Sequence, residues 1–331
     1  MRRRAFIGLL GGVAAWPLAA RAQQPERMRK IAILMFTQEG DPDTRRRVAA
    51  FRGGLNALGW VEGRNIEIEF RSGRGDDEAV RSHARELAQA GAELILTNGT
   101  PATTAMKRAT ASIPIVFAMV TDPVGDGLVN SLSRPGHNVT GFSAFESEIG
   151  GKWVELLREA VPGVARAALL FNPRTVPGGG TRLMRPHFDA AARALGIEPI
   201  AMPVESVGDI ERALTAHAQR GRAGLVGMPD GFLFVNAERV IRLAGELRLP
   251  AIFPFRHFAE VGALMTYGVD PGNLNLRAAS YVDRILKGER PADLPVQAPT
   301  QYEFVINLKT SKALGIDLPP TLLARADEVI E

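Results

Sequence analysis

Short apolar runs alternate with amphipathic stretches along most of this chain. Residues 31–36 are continuously apolar, the pattern of a strand buried on both faces of a parallel sheet. Val48, Phe51, Leu55 and Leu58 then recur at steps of three and four, and Gly59 stands where a left-handed helix cap belongs. The alternation continues with a strand at 66–70, a helix over 76–90 stopped by Gly91, and a strand at 94–97. A helix entered at Thr100-Pro101 and a strand at 115–120 complete this part. Strand–helix alternation of this kind predicts a doubly wound α/β layer with a parallel sheet.

After Pro135-Gly136 and Gly150-Gly151 the rhythm restarts. Trp153, Leu156, Leu157 and Ala160 share a helical face, and strands are expected at 167–171, 200–204 and 225–228. Helices are expected over 183–195, closed by Gly196, and over 236–247, with Ser206 and Asp209 forming a capping box for a third. After a strand at 251–253, a further strand at 264–267 and a helix through Tyr281, Val282, Ile285 and Leu286 are too few for another domain. They are expected to return to the first lobe. The prediction is therefore two α/β lobes, residues 30–141 with 254–294 and residues 142–253 with 295–331. The chain would cross between them at 140–144, 251–255 and 295–299.

The length of 331 residues suits two domains. There is no cysteine, which excludes a disulfide scaffold, cysteine-ligated metal centres and a thiol nucleophile. The net charge of +4 invites a nucleic-acid reading until its distribution is considered. Arg2, Arg3, Arg4 and Arg21 carry all of it; without them 36 bases face 36 acids, which argues against a nucleic-acid partner. Residues 1–22 read as an export signal: a basic head, an apolar stretch interrupted by Gly8, Gly11, Gly12 and Pro17, and the small-residue end Ala20-Arg21-Ala22. The stretch is short for a membrane span, so cleavage after Ala22 and a periplasmic location are expected, with Arg3-Arg4 similar to a twin-arginine signal.

Catalytic signatures are absent from the sequence: no G-x-S-x-G elbow, no Walker-type phosphate loop, no H-E-x-x-H and no strand–helix G-x-G-x-x-G. The five histidines are scattered, and neither a metal nor a cofactor is expected. What recurs instead is polar residues at the C-terminal ends of expected strands, where open α/β sheets place their ligands. These are Thr37 and Gln38, Asn98-Gly99-Thr100-Pro101, Thr121-Asp122, Asn172, and Asp230 beside Phe232. Gly99 allows close backbone approach, Thr100 can cap the helix, Pro101 suits its first turn, and free amides there suit an anion. Each segment alone reads more readily as helix capping; recurrence in both lobes favours a site. Phe232, Phe255 and Tyr267 are candidate aromatic walls.

Several segments in order then carry a resemblance. Asn98-Gly99-Thr100-Pro101-Ala102, Ile113-Pro114-Ile115-Val116-Phe117 running into Thr121-Asp122-Pro123-Val124-Gly125, and Pro135-Gly136-His137-Asn138-Val139-Thr140-Gly141 come first. Thr266-Tyr267-Gly268 and Phe304-Val305-Ile306-Asn307-Leu308-Lys309-Thr310 follow. Together they resemble the tryptophan/tyrosine-type solute-binding proteins of ABC transporters. Pro177-Gly178-Gly179-Gly180, Gly231 and Thr37-Gln38-Glu39-Gly40-Asp41 depart from that pattern. The resemblance implies the type I periplasmic-binding fold, two doubly wound lobes joined by three crossover strands, with a small molecule trapped between them. It also implies a permease and its ATPase as partners.

A carboxylate-bearing ligand such as an aromatic amino acid is then expected, and a monomer. Thr100 and its amides would hold the carboxylate, Asp122 or Asp230 the ammonium, and Phe232, Phe255 or Tyr267 an apolar side chain. On this reading Asp230→Ala should weaken binding without unfolding the protein, and Arg45 should be an exposed bystander. An exported hydrolase or transferase, or a sensor domain of the same fold, are the competing readings.

Overall fold

The structure is a computed structural model that describes residues 28–175 and 179–331; the expected export signal and Pro177-Gly178 lie outside the described residues. In chain order the first part comprises β1 (Arg29–Met35), α1 (Pro42–Ala57), β2 (Ile66–Ser72), α2 (Asp77–Gln89), β3 (Leu94–Asn98), α3 (Thr100–Ala109), β4 (Ile115–Val120) and β5 (Val139–Ser143). The second comprises α4 (Ile149–Ala160), β6 (Arg166–Phe171), α5 (Gly179–Ala194), β7 (Glu198–Pro203), α6 (Val207–Gln219), β8 (Ala223–Gly227), α7 (Gly231–Val235), α8 (Ala237–Glu246), β9 (Ala251–Phe253), α9 (Arg256–Glu260) and β10 (Met265–Gly268). The chain ends with α10 (Pro271–Leu286), a 3₁₀ turn (Pro291–Asp293), β11 (Glu303–Asn307), α11 (Leu308–Leu314), α12 (Pro320–Leu323) and β12 (Glu328–Ile330).

Two sheets result, ordered β2-β1-β3-β4-β5 and β12-β11-β10-β9-β8-β6-β7. All the paired strands are parallel except β10 with β11. The apolar runs of β3, β4 and β8 are buried throughout, because helices cover both faces of a parallel sheet. Helix ends follow local chemistry. Asp41, Asp76 and Asp270 accept first-turn amide bonds, Ser206 and Asp209 form the expected box, and Gly59, Gly91 and Gly196 take the left-handed turns that follow helices.

The lobe boundary differs from expectation in one segment. Residues 254–268, expected in the first lobe, join the second sheet: β10 pairs in parallel with β9 and antiparallel with β11. The second passage between lobes is therefore not at 251–255 but at 269–270. From there α10 packs on α1 and against β3, β4 and β5 of the first lobe. The first passage follows β5, and the third runs beside it: the Ser143 amide donates to Gln297 O (2.9 Å) and the Gln297 amide to Gly141 O (2.9 Å). The Thr140 hydroxyl ties the same corner to Leu294 O at 2.6 Å.

Candidate functional site

A cleft opens between the C-terminal ends of the two sheets, with an enclosed volume of about 60 Å³, or about 610 Å³ when its open mouth is counted. Its first-lobe wall is Phe36, Thr37, Arg47, the Asn98–Pro101 segment, Met119, Thr121 and Asp126; its second-lobe wall is Thr175, Pro229, Asp230, Gly231, Phe234 and Phe255.

On the first wall, β3 runs into α3 through Gly99, whose φ of 86° and ψ of 161° belong to a region essentially restricted to glycine. The cap expected of Thr100 falls on Gly99, since Thr100 is already the first helical residue, so no side chain caps α3, unlike the helices begun by Asp41, Asp76, Ser206 and Asp270. Its first amides and the positive end of its dipole are thus available to an anion in the cleft. Met119 lies at an irregularity between β4 and β5 with φ 67°, a backbone state that costs a non-glycine residue roughly 1–2 kcal/mol. Strain of this kind concentrates at ligand sites. Thr37 is anchored through its hydroxyl to Thr44 at 2.6 Å.

Arg47 is the cation of this wall. It is 5% exposed, ion-paired with Asp43, and donates from Nη1 to Asn98 Oδ1 at 3.1 Å. Its guanidinium lies 4.8 Å from the centre of the Phe234 ring, which belongs to the opposite lobe.

On the second wall, Asp230 begins α7 and is 4% exposed. Its Oδ1 accepts from the Thr175 hydroxyl (2.5 Å) and from the amides of Phe232 (2.7 Å) and Leu233 (3.4 Å). Its Oδ2 accepts from the Asn172 amide at 2.5 Å. Burial pushes this carboxyl up to about 6, against the opposing pull of those donors. Asp230 therefore staples the loops after β6 and β8 as well as facing the cleft. Phe255 is buried against Phe145 and Phe234, their ring centres 5.6 and 6.4 Å away.

The walls already touch. A Cβ on Gly231 would come within 2.7 Å of Phe36 Cδ1, so only glycine lets the lobes meet there in this arrangement. At the rim Arg46 reaches Glu260 (3.4 Å) and Arg182 donates to Gly125 O (3.0 Å).

Among the expected residues, the structure brings Thr37, Asn98, Gly99, Thr100, Pro101, Thr121, Asp230 and Phe255 together in the cleft. Five others do not line it. Gln38 is exposed outside it. Asp122 turns back to accept from the Gly125 amide at 2.7 Å. Asn172 and Phe232 face a neighbouring cavity with Arg174 and Glu205. Tyr267 stacks on Tyr302 (5.6 Å) in a separate groove, its carbonyl held by Trp153 Nε1 at 2.7 Å. Arg47, Met119, Asp126, Thr175 and Phe234 were not anticipated. For Arg47 a signal existed in Asp43 four residues earlier, the helical spacing of an ion pair.

Among the described residues no cluster of three or more His, Asp or Glu could hold a metal, and no helix is long and apolar enough to cross a membrane.

The sequence profile of the family described as ABC transporter substrate binding protein matches residues 30–330. The chain belongs to that family. This substrate-binding protein is 28% identical over 271 residues to a Tyrosine-binding protein of Clostridioides difficile (strain R20291), covering 81% of this chain and 76% of the relative. Among solved structures, a Streptococcus pneumonia ABC domain in complex with L-Trp is 26% identical with a TM-score of 0.84, covering 91% of this chain and 99% of that one. A ligand-free, open substrate-binding protein with adhesive properties from Clostridium difficile is 25% identical at the same two coverages, with a TM-score of 0.67. At nearly equal identity and coverage, this structure superposes more closely on the L-Trp complex than on the open structure.

Proposed function

We propose that this substrate-binding protein is the exported receptor of an ABC importer and that its cleft takes an aromatic L-amino acid. The observation that carries this reading is the division of labour across the cleft: an uncapped helix start beside a buried arginine on one wall, and a buried carboxylate among aromatic rings on the other. A zwitterion placed between them sets its carboxylate at the amides of α3 and Thr100, and its ammonium toward Asp230. The side chain then lies among Phe36, Met119, Phe234 and Phe255. The L-Trp complex and the Tyrosine-binding relative support this ligand class.

Binding shifts the lobes toward the closed arrangement, which the membrane permease recognises and its ATPase powers. On this reading the protein acts without catalytic turnover and in the periplasm, because its only chemistry is to hold, enclose and hand over a ligand. Isothermal titration of the chain from Gln23 with the twenty amino acids tests it. L-tryptophan or L-tyrosine should bind, and the other charged or small amino acids should bind at least tenfold more weakly. Native mass spectrometry of ligand released from purified protein identifies the physiological choice, and binding of only a sugar or nucleoside would overturn the reading.

A further inference from the structure

Arg47 stands out as a charged group with an unused donor. The side chain is only 6% exposed. Of its five N–H groups, those on Nη2 face Asp43 and one on Nη1 goes to Asn98, whereas Nε has no partner. A buried N–H without an acceptor is destabilising, so such a group is expected to be completed by something that enters the cleft.

We infer that Arg47 is the specificity-determining residue for the ligand's carboxylate, reading it through Nε–H alongside the first amides of α3. This deepens the amino-acid reading above and rests on it. Three contacts fix the guanidinium in position: Asp43 at its end, Asn98 at its edge and the Phe234 ring over its face. Asn98 is itself oriented, because its Nδ2 donates to Asn275 Oδ1 (3.0 Å) while Asn275 Nδ2 donates to Pro271 O (2.8 Å). That chain fixes which end of the Asn98 amide faces Arg47, and it anchors the pair to the start of α10, just past the second passage between lobes. Asn98 and Asn275 are thus positioning residues.

Because Asp43 already balances the charge, Arg47 contributes a directed hydrogen bond rather than a free cation. Together with the helix start it should favour a carboxylate over a carboxamide of the same shape. The Phe234 contact gives the arrangement a second consequence: the face of the carboxylate-reading group is covered only when the second lobe is closed over it.

The experiment compares L-tryptophan with L-tryptophanamide, and L-tyrosine with L-tyrosinamide, by titration calorimetry on the mature chain. Loss of one charge-assisted hydrogen bond corresponds to roughly ten- to a hundredfold, so the wild type should prefer each acid by at least about tenfold. In Arg47→Met that preference should shrink to a few-fold with little change in affinity for the amide. Since Arg47→Met takes from the buried Asp43 one of its two arginine partners and leaves it only Arg46 (3.2 Å), Asp43→Asn/Arg47→Met is measured beside it; with both charges removed, it should show the same narrowed ratio. Asn275→Leu should narrow the ratio in part without altering the ligand-lining residues. An acid-to-amide ratio unchanged in either Arg47 variant overturns this inference while leaving the amino-acid reading intact. A wild type that binds neither member of either pair overturns both.

Discussion

The two walls of the cleft are built from the same topological feature, the carboxyl ends of parallel strands, yet they treat their polar groups in opposite ways. The first-lobe wall leaves them open: α3 starts without a side-chain cap, Met119 is held in a left-handed conformation, and Arg47 keeps an unused donor. The second-lobe wall closes on itself, because Asp230 consumes four donors from two loops. One wall is organised to receive hydrogen bonds from a ligand or give them to it. The other is organised to be rigid, and it offers a ligand chiefly aromatic surface and the remaining acceptor capacity of one carboxylate. A receptor that must close gains from this asymmetry, since the wall that is complete without ligand can move as a body onto the wall that is not.

The largest effect that could break this comparison is at Asp230. Asp230→Ala strands the Asn172 and Phe232 amides and the Thr175 hydroxyl, and should lower stability by about 2–4 kcal/mol in denaturant unfolding. This replaces the expectation from sequence that the substitution would affect binding alone. Thr100→Ala supplies the contrast. Its hydroxyl caps nothing, so melting should move little while affinity for an aromatic amino acid falls about tenfold. Equal stability losses in the two variants would erase the distinction between the walls.

Titration should reveal the same asymmetry. The Asp230 carboxyl titrates near 6 in the folded protein against 3.8 for an unperturbed aspartate, so the native state holds a proton more tightly than the unfolded chain does. Its contribution to stability is therefore fully present below pH 3.8 and is lost as pH rises through about 6. The loss is about 3 kcal/mol, given about 1.4 kcal/mol per pKa unit. The difference in unfolding free energy between wild type and Asp230→Asn, followed from pH 4 to 7, should change in that direction. Ligand binding runs the other way: an ammonium needs the ionised carboxylate, so affinity should fall below pH 6 by up to tenfold per unit. A flat difference between the two proteins would mean that Asp230 stays charged throughout.

How much of this was legible beforehand depended on whether the signal was local. The strands and helices were, because a fully apolar run such as Ile115–Val120 and a spaced face such as Val80, Ala84 and Leu87 are written in consecutive residues. Which sheet a run joins is not. Residues 264–267 looked like a return to the first lobe, but β10 lies between β9, which precedes it, and its antiparallel partner β11 some forty residues later, and those pairings decide its lobe. The site divides similarly. Asn98–Pro101 and Asp230 stand at strand ends and could be read there, whereas Arg47 sits in the run Arg45-Arg46-Arg47, which looks like a solvated helix face. The structure turns Arg45 and Arg46 outward and Arg47 inward, a distinction of 100° per residue that becomes visible only when the cleft is formed. Tyr267 and Asp122 err the other way: both stand at strand ends, but one side chain faces the far groove and the other closes its own turn.

Contacts across the cleft allow a finer test of which parts of the closed arrangement matter. Gly231→Val would drive a side chain into Phe36, whose ring lies 2.7 Å from where the first added carbon would sit. The variant should fold normally, stay open in small-angle scattering when ligand is added, and bind at least about tenfold more weakly, since a 1.4 kcal/mol penalty on closure suffices.

The smallest effect is expected at the rim. Arg46 and Glu260 pair across the lobes at 3.4 Å, but their side chains are 49% and 31% exposed. Burial is the largest single influence on the Arg46 charge and opposes it, but Glu260 and Asp43 together more than compensate, so its pKa is raised. In water a pair this accessible is worth at most about 1 kcal/mol, and screening by salt reduces it further. Arg46→Ala should therefore change affinity by less than about fivefold, and only at low ionic strength. If it instead matched Gly231→Val in size and survived 0.5 M salt, closure would be governed at the rim by charge. The packing of Phe36 and Arg47 against Gly231 and Phe234 would then be a consequence of closing, where the geometry of the walls makes it the cause.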